Sequence, residues 1–403
     1  MGISDFGRAD ESAETSGEET IAITRLNRRE LLQSGAVSAM GLILAKTANG
    51  SVPQPAPAEK WRGVNLGGWL ALEKWIGPEP YAGTSAKDEY SLCTELGKAA
   101  ATDRLKRHRD TWITEADFKW IADRGLNAVR LPVGFGILED NPPYITGADT
   151  LDRAFAQAKA NGLGVLLDLH GVPGSQNGMD HSGRSGELGW HKSKANIDHS
   201  VRIVEGLAEH CKRFDNLIGF ELLNEPRWDV PIEIIKGYYL DAYAAARKHL
   251  PKSVAIVIHD AFRALAWQDF MKEPDYVNVR LDAHLYQCYT EGDRKNDIHA
   301  HVEIAGLEWK RQLDKMQLEL WPIVGEWSCS LDPQSLKGLT GFSREVAIRA
   351  YADAQLISFE TSHGWFYWTY KIASGGTWSF RDSVRRGWMP EQYGDKGLMA
   401  PRT

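Results

Sequence analysis

Two glutamates, each near the end of a hydrophobic run, carry the clearest chemistry in this chain. One lies in Ile218-Gly219-Phe220-Glu221-Leu222-Leu223-Asn224-Glu225-Pro226, the other in Trp321-Pro322-Ile323-Val324-Gly325-Glu326-Trp327-Ser328. Each run reads as a buried parallel strand that delivers a carboxylate, Glu225 or Glu326, at or just past its C-terminal end. When parallel strands close into a barrel, those ends meet in one cleft. Two carboxylates facing each other across a sugar are the minimum equipment for cleaving a glycosidic bond. A lone glutamate at a strand end is ordinarily a solvated or salt-bridged side chain, so the elements around the pair must decide.

Strand-like apolar runs recur along the chain at 63–66, 128–131, 164–170, 219–223, 254–259, 277–281, 322–325 and 365–368. Helical patterns lie between them at 115–124, behind a capping Thr114, and at 151–160, 197–213, 232–249 and 344–361. This alternation predicts an α/β fold, a single (β/α)8 TIM barrel over 59–403 with no second domain. Polar side chains gather just where the apolar runs stop. Arg130, His170, Asn224, Glu225, His284, Tyr286, Glu326 and Trp368 all fall at or just beyond a predicted strand end, a poor way to build only a core.

Composition narrows the function classes. The chain has 403 residues, 43% hydrophobic and 25% charged, with a formal net charge of -7. It has no basic footprint, so nucleic acid is not an expected partner. Fifteen tryptophans give only weak support to a carbohydrate role, because most such rings are core, although sugar C–H faces lie well on flat rings. The first 58 residues differ from the rest: acidic up to Thr20, then Arg28-Arg29 ahead of a short apolar stretch at 34–45, then a Pro-rich linker at 51–58. This segment resembles a twin-arginine export signal, which predicts a periplasmic or extracellular protein with no stable membrane span after processing. Four cysteines, Cys93, Cys211, Cys288 and Cys329, form no CxxC and no zinc spacing, so neither metal nor cofactor is expected. A Cys288–Cys329 bridge and buried free thiols both remain open, and the expected state is a monomer.

At Arg62-Gly63-Val64-Asn65-Leu66-Gly67-Gly68-Trp69-Leu70 the chain begins to resemble glycoside hydrolase family five, in its exo-β-1,3-glucanase branch. The likeness continues through Asp168-Leu169-His170-Gly171, Pro173-Gly174-Ser175-Gln176-Asn177-Gly178 and Glu221-Leu222-Leu223-Asn224-Glu225-Pro226. It goes on through Ile258-His259-Asp260-Ala261-Phe262, Gly325-Glu326-Trp327-Ser328 and Gly364-Trp365, in order over nearly all of 61–385. The resemblance implies a retaining hydrolase of β-glucan or a β-glucoside, with Glu225 as acid/base and Glu326 as nucleophile. Arg130 is expected to keep Glu326 ionised, while burial and nearby negative charge keep a proton on Glu225. By the same resemblance Asn224 holds the sugar 2-OH, and His284 and Tyr286 stand near the nucleophile. His170 orients groups below the sugar, Trp368 is the stacking floor, and Glu73 holds hydroxyls of the terminal glucose. Glu221 is read as a buried support, and His181, His191 and His199 as surface or helix residues.

The match departs at the pocket entrance. Where the family's fungal branch places clamping phenylalanines, this chain has Met179 and Tyr289. The segments 291–321 and beyond 378 also diverge, and loops over the barrel mouth set specificity. Endo or β-1,6 action, transglycosylation, and a non-catalytic glycan-binding barrel therefore stand as alternatives.

Overall fold

Eight short parallel strands account for the architecture: β1 (Trp61–Asn65), β2 (Ala128–Gly134), β3 (Gly164–Gly171), β4 (Leu217–Glu221), β5 (Ala255–His259), β6 (Val279–His284), β7 (Trp321–Trp327) and β8 (Gly364–Tyr367). They pair in sequence order and close through β1 and β8, giving the expected (β/α)8 barrel. This computed structural model describes residues 60–394 except Asp140 and Glu319. The leader and linker expected at 1–58 lie outside the described residues.

The helices of the described residues include all five expected from apolar periodicity and caps, and five that were not expected. They are α1 (Glu89–Thr111), α2 (Glu115–Ala122), α3 (Ala148–Ala160), α4 (Lys194–Cys211), α5 (Ile232–Arg247), α6 (Glu291–Lys295), α7 (Ile298–Glu303), α8 (Trp309–Met316), α9 (Gly341–Phe359) and α10 (Phe380–Arg385). Thr114 caps α2 in a reciprocal box with Asp117. The alternation fails once. Between β5 and β6 only a short 3-10 turn, Ala264–Trp267, replaces a helix. Pro274 interrupts that segment, and Asp269, Met271 and Asn278 take positive φ, which a helix does not tolerate. All four cysteines are free thiols, so the bridge left open at Cys288 and Cys329 does not form.

The period of two along each strand sorts the barrel interior into layers. An apolar cluster of Trp61, Ala128, Leu166, Ala255, Val257, Ile323 and Phe366 forms the lower layer. Two residues further along the same strands come Arg130, Asp168, His259 and, from β4, Glu221, all fully buried. One more step on β3 and β6 brings His170 and His284. The barrel thus has a greasy floor and a charged ceiling. Gly325 on β7 belongs to that ceiling: its N–H donates to Asp282 Oδ1 at 2.5 Å, and a Cβ there would stand 1.9 Å from Asp282 Oδ2. Gly325→Ala must push Asp282 aside and is expected to cost about 1–3 kcal/mol by overpacking. Urea denaturation measures this; an unchanged midpoint would mean that the ceiling is looser than the contact implies.

Candidate active site

The site is built around one guanidinium. Arg130 leaves β2 pointing into the barrel with no exposed surface. Its Nε donates to Glu221 Oε2 at 2.8 Å, and its Nη1 to both Asn65 Oδ1 and Glu326 Oε1 at 3.0 Å. Its Nη2 donates to Asn224 Oδ1 at 2.8 Å and lies 3.2 Å from Asp168 Oδ2. Burial opposes its charge, but Asp168, Glu221 and Glu326 together hold its proton more firmly than usual. Glu221, directly beneath, is pushed well up by burial and by Asp168 and Asp282, in spite of Arg130.

Glu326 lies within β7 and has both oxygens engaged, Oε1 by Arg130 and Oε2 by the Tyr286 hydroxyl at 2.9 Å. Glu225 lies four residues beyond β4, on a backbone at φ 41, a left-handed conformation that costs a non-glycine residue energy. The surrounding loop holds it there. Asn177 Nδ2 donates to the Glu225 carbonyl at 3.2 Å, and Gln176 Nε2 to the Asn224 carbonyl at 2.9 Å. His284 joins the two carboxylates, with Nδ1 2.6 Å from Glu225 Oε1 and 3.5 Å from Glu326 Oε2. Sharing one nitrogen sets these two oxygens facing each other across the cleft.

Protonation runs opposite to the order anticipated from sequence. Burial raises both carboxyls, but the hydrogen bond and charge of His284, with His181 and His259, bring Glu225 below the usual carboxylate range. Glu326 stays raised by burial and by the charge of Glu225, although His284 and Arg130 pull it down. His284 itself is held protonated well above the histidine range, since Glu326, Asp282 and Glu225 outweigh its burial.

The remaining predicted residues line the same end of the barrel. Trp368 follows β8 and stacks parallel on the His170 ring at 5.7 Å, and His170 Nδ1 bonds Asp168 at 2.6 Å. Glu73 is buried, accepts Trp75 Nε1–H at 2.9 Å and keeps Oε1 without a partner. Burial, Asp180 and Glu326 push its carboxyl well up. Asn224 likewise keeps Nδ2 unpartnered. Tyr289 is 58% exposed, edge-on to Tyr286 at 5.5 Å, and Met179 is half-buried on the β3–α4 loop.

Sequence reasoning missed several neighbours. His181, expected at the surface, has Nε2 3.5 Å from Glu225 Oε2. His259 is fully buried, its ring 4.4 Å from His284, and its step of two from Val257 could have revealed it. Glu225, His259 and His284 are near enough to hold a cation, yet His259 Nδ1 accepts the Ala261 N–H, leaving Nε2 to carry hydrogen. Trp75 and Trp378 pack together at 5.5 Å, and Trp378 also touches Tyr286, forming an aromatic rim.

Comparison with known proteins places the chain in a family. The family model described as cellulase, glycosyl hydrolase family 5, matches residues 93–374. A glucan 1,3-beta-glucosidase of Blumeria graminis is 37% identical over 379 residues, covering 83% of this chain and 87% of its own. A probable glucan 1,3-beta-glucosidase A of Emericella nidulans is 35% identical, covering 84% and 92%. Among solved structures, a rutinosidase from Aspergillus niger superposes with a TM-score of 0.71 at 21% identity, over 82% of this chain and 98% of its own. An endoglucanase from Thermotoga maritima gives 0.53 at 16% identity, over 81% and 93%. These two share the fold.

Two outcomes follow from the electrostatics. Arg130→Met strands Glu221, Asp168 and Glu326, and is expected to cost about 3–5 kcal/mol in chemical denaturation. Asp260 titrates by a different logic. Burial lifts its carboxyl to about 7, with Asp282 and Glu225 adding to this against the Phe262 N–H and His284. Between about pH 4 and that value the unfolded chain binds fewer protons there than the folded one, so stability falls as pH rises. Asp260→Asn keeps an oxygen for the Phe262 N–H and removes the titration. Its stability relative to the parent should climb across that window and then level off; parallel denaturation curves at both ends of the window would contradict it.

Proposed function

This chain belongs to glycosyl hydrolase family 5, and on that footing we propose that it is a retaining exo-acting β-glucosidase of β-1,3-glucan, releasing glucose. The observation that carries the reading is the pair of carboxylates facing one imidazole nitrogen at 2.6 and 3.5 Å. In this reading Glu326 attacks the anomeric carbon while Glu225 protonates the departing glycosidic oxygen, leaving a glycosyl ester on Glu326. Glu225, now a carboxylate, then takes a proton from water as the water opens the ester and restores Glu326. Before the first step a proton must reach Glu225, and His284 Nδ1, in reach of both glutamates, is the natural carrier. Bringing a sugar oxygen to Glu225 and excluding water both favour that redistribution.

Support for sugar binding comes from the groups left unsatisfied. Asn224 Nδ2 is a free donor beside the acid/base and suits the 2-OH, a contact that strengthens in the transition state. The free Oε1 of Glu73 suits hydroxyls of a terminal glucose, and Trp368 offers its face below. Met179 and Tyr289 would border the leaving sugar. No helix among the described residues is long and apolar enough to cross a membrane. The export signal read at 1–58 would deliver the enzyme to the polysaccharide outside the cytoplasm, and a monomer suffices for this chemistry.

Timed product analysis on β-1,3-, β-1,6- and β-1,4-glucans tests the substrate. Glucose alone from the first is expected, whereas early oligomers would overturn exo action. Roles separate with azide. Glu225→Ala should lose about 10²–10⁴-fold on poor leaving groups, and with a dinitrophenyl β-glucoside, whose departure needs no acid, azide should restore turnover as the β-glucosyl azide. With an activated α-glucosyl fluoride donor, Glu326→Ala should transfer to acceptor sugars without hydrolysing the product. Exchanged behaviours would exchange the assignments.

A further inference from the structure

We infer that His181 is a positioning residue that, with His284, clamps the Glu225 carboxylate between two imidazoles and tunes it as both acid and base. This rests on Glu225 being the acid/base. His284 Nδ1 takes Oε1 at 2.6 Å, and His181 Nε2 faces the other oxygen, Oε2, at 3.5 Å. The His181 side chain is only 15% exposed, and its Nδ1 is buried without a partner, so no hydrogen bond draws the ring elsewhere.

The turn that carries His181 is built into the barrel. It is a single 3-10 turn, Asp180–Ser182, on the β3–α4 loop. Ser182 Oγ contacts Ser175 Oγ at 2.6 Å and the Met179 carbonyl at 2.7 Å. The Tyr90 N–H of α1 donates to the Gly183 carbonyl at 2.9 Å. Gly171, the last residue of β3, lets the turn press close, since a Cβ there would lie 2.4 Å from the Ser182 carbonyl oxygen. The titratable groups around His181 are Glu225, the His170 ring at 5.2 Å, and Asp180 on its own turn. Glu89 and Arg109 line the small cavity beside it.

A hydrogen bond from His284 on one oxygen and the His181 imidazole within ion-pair reach of the other both favour the ionised carboxylate, so Glu225 gives up its proton more readily than with His284 alone. His181 thus favours the half-reaction in which Glu225 acts as base, and limits the pH range in which it acts as acid. Both effects must vanish together when the ring is removed. The test uses His181→Asn and His181→Gln in the full chain, with two substrates. A β-1,3-linked glucose oligomer needs the acid, so the alkaline limb of its kcat/KM profile reports protonated Glu225. A dinitrophenyl β-glucoside leaves unaided, so the acid limb of its kcat reports ionised Glu225 in the glycosyl-enzyme.

Both limbs are expected to move to higher pH in both variants, by about half to one unit. A purely structural role would lower rates and leave the limbs in place, and that outcome overturns the inference, as would a shift of one limb alone. The two ideas fail separately. A parent enzyme whose oligosaccharide hydrolysis does not depend on Glu225 defeats the reading of the site. A Glu225-dependent parent with unmoved limbs in the variants defeats only the role of His181.

Discussion

A buried positive charge that cannot be discharged organises this molecule. Guanidinium stays protonated under all working conditions, so Arg130, fully enclosed, must be matched by charge and hydrogen bonds from every side. Its partners come from β1, β3, β4, the turn after β4, and β7. The chain therefore cannot close the upper barrel in another register without leaving charges bare. Such a cluster adds little net stability over a packed apolar core, since desolvation offsets attraction. What it fixes is geometry: Glu326, Asn224 and the base of the cleft are all referred to one rigid planar fork.

The second constraint is a shortage of positive charge. Glu73, Asp168, Glu221, Asp260, Asp282, Glu225 and Glu326 are crowded with one arginine and a few histidines. Burial lifts Glu73, Glu221, Asp260 and Glu326, while the His284 contact brings Glu225 down. Chemistry in this cleft consists of moving one proton around His284. The unliganded order, with Glu225 ionised, is that of the base half of the proposed cycle; substrate must reverse it for the acid half.

Much of this was legible in the residues, because period-two alternation and strand ends are local properties. The eight strands and the polar residues at their ends follow from where apolar runs stop, while Arg130 and Tyr286 as partners of Glu326 came from the family resemblance. The missing helix after β5 was written in Pro274 but hidden by the regularity of its neighbours. His181 could not be read: it sits on a loop, where no periodicity tells a side chain which way to face. The order of protonation was also illegible, because it depends on a single nitrogen lying nearer to Glu225 than to Glu326.

Trp75, Trp378, Tyr286 and Tyr289 make an aromatic rim over a polar cleft, with rings that give sugar a face and water little purchase. The central claim is that two glutamates sharing His284 work by double displacement. Proton NMR of the first glucose released from a β-linked substrate, taken before mutarotation, tests it most directly. The β-anomer appearing first is the predicted result; the α-anomer appearing first would mean direct attack by water and would contradict the account.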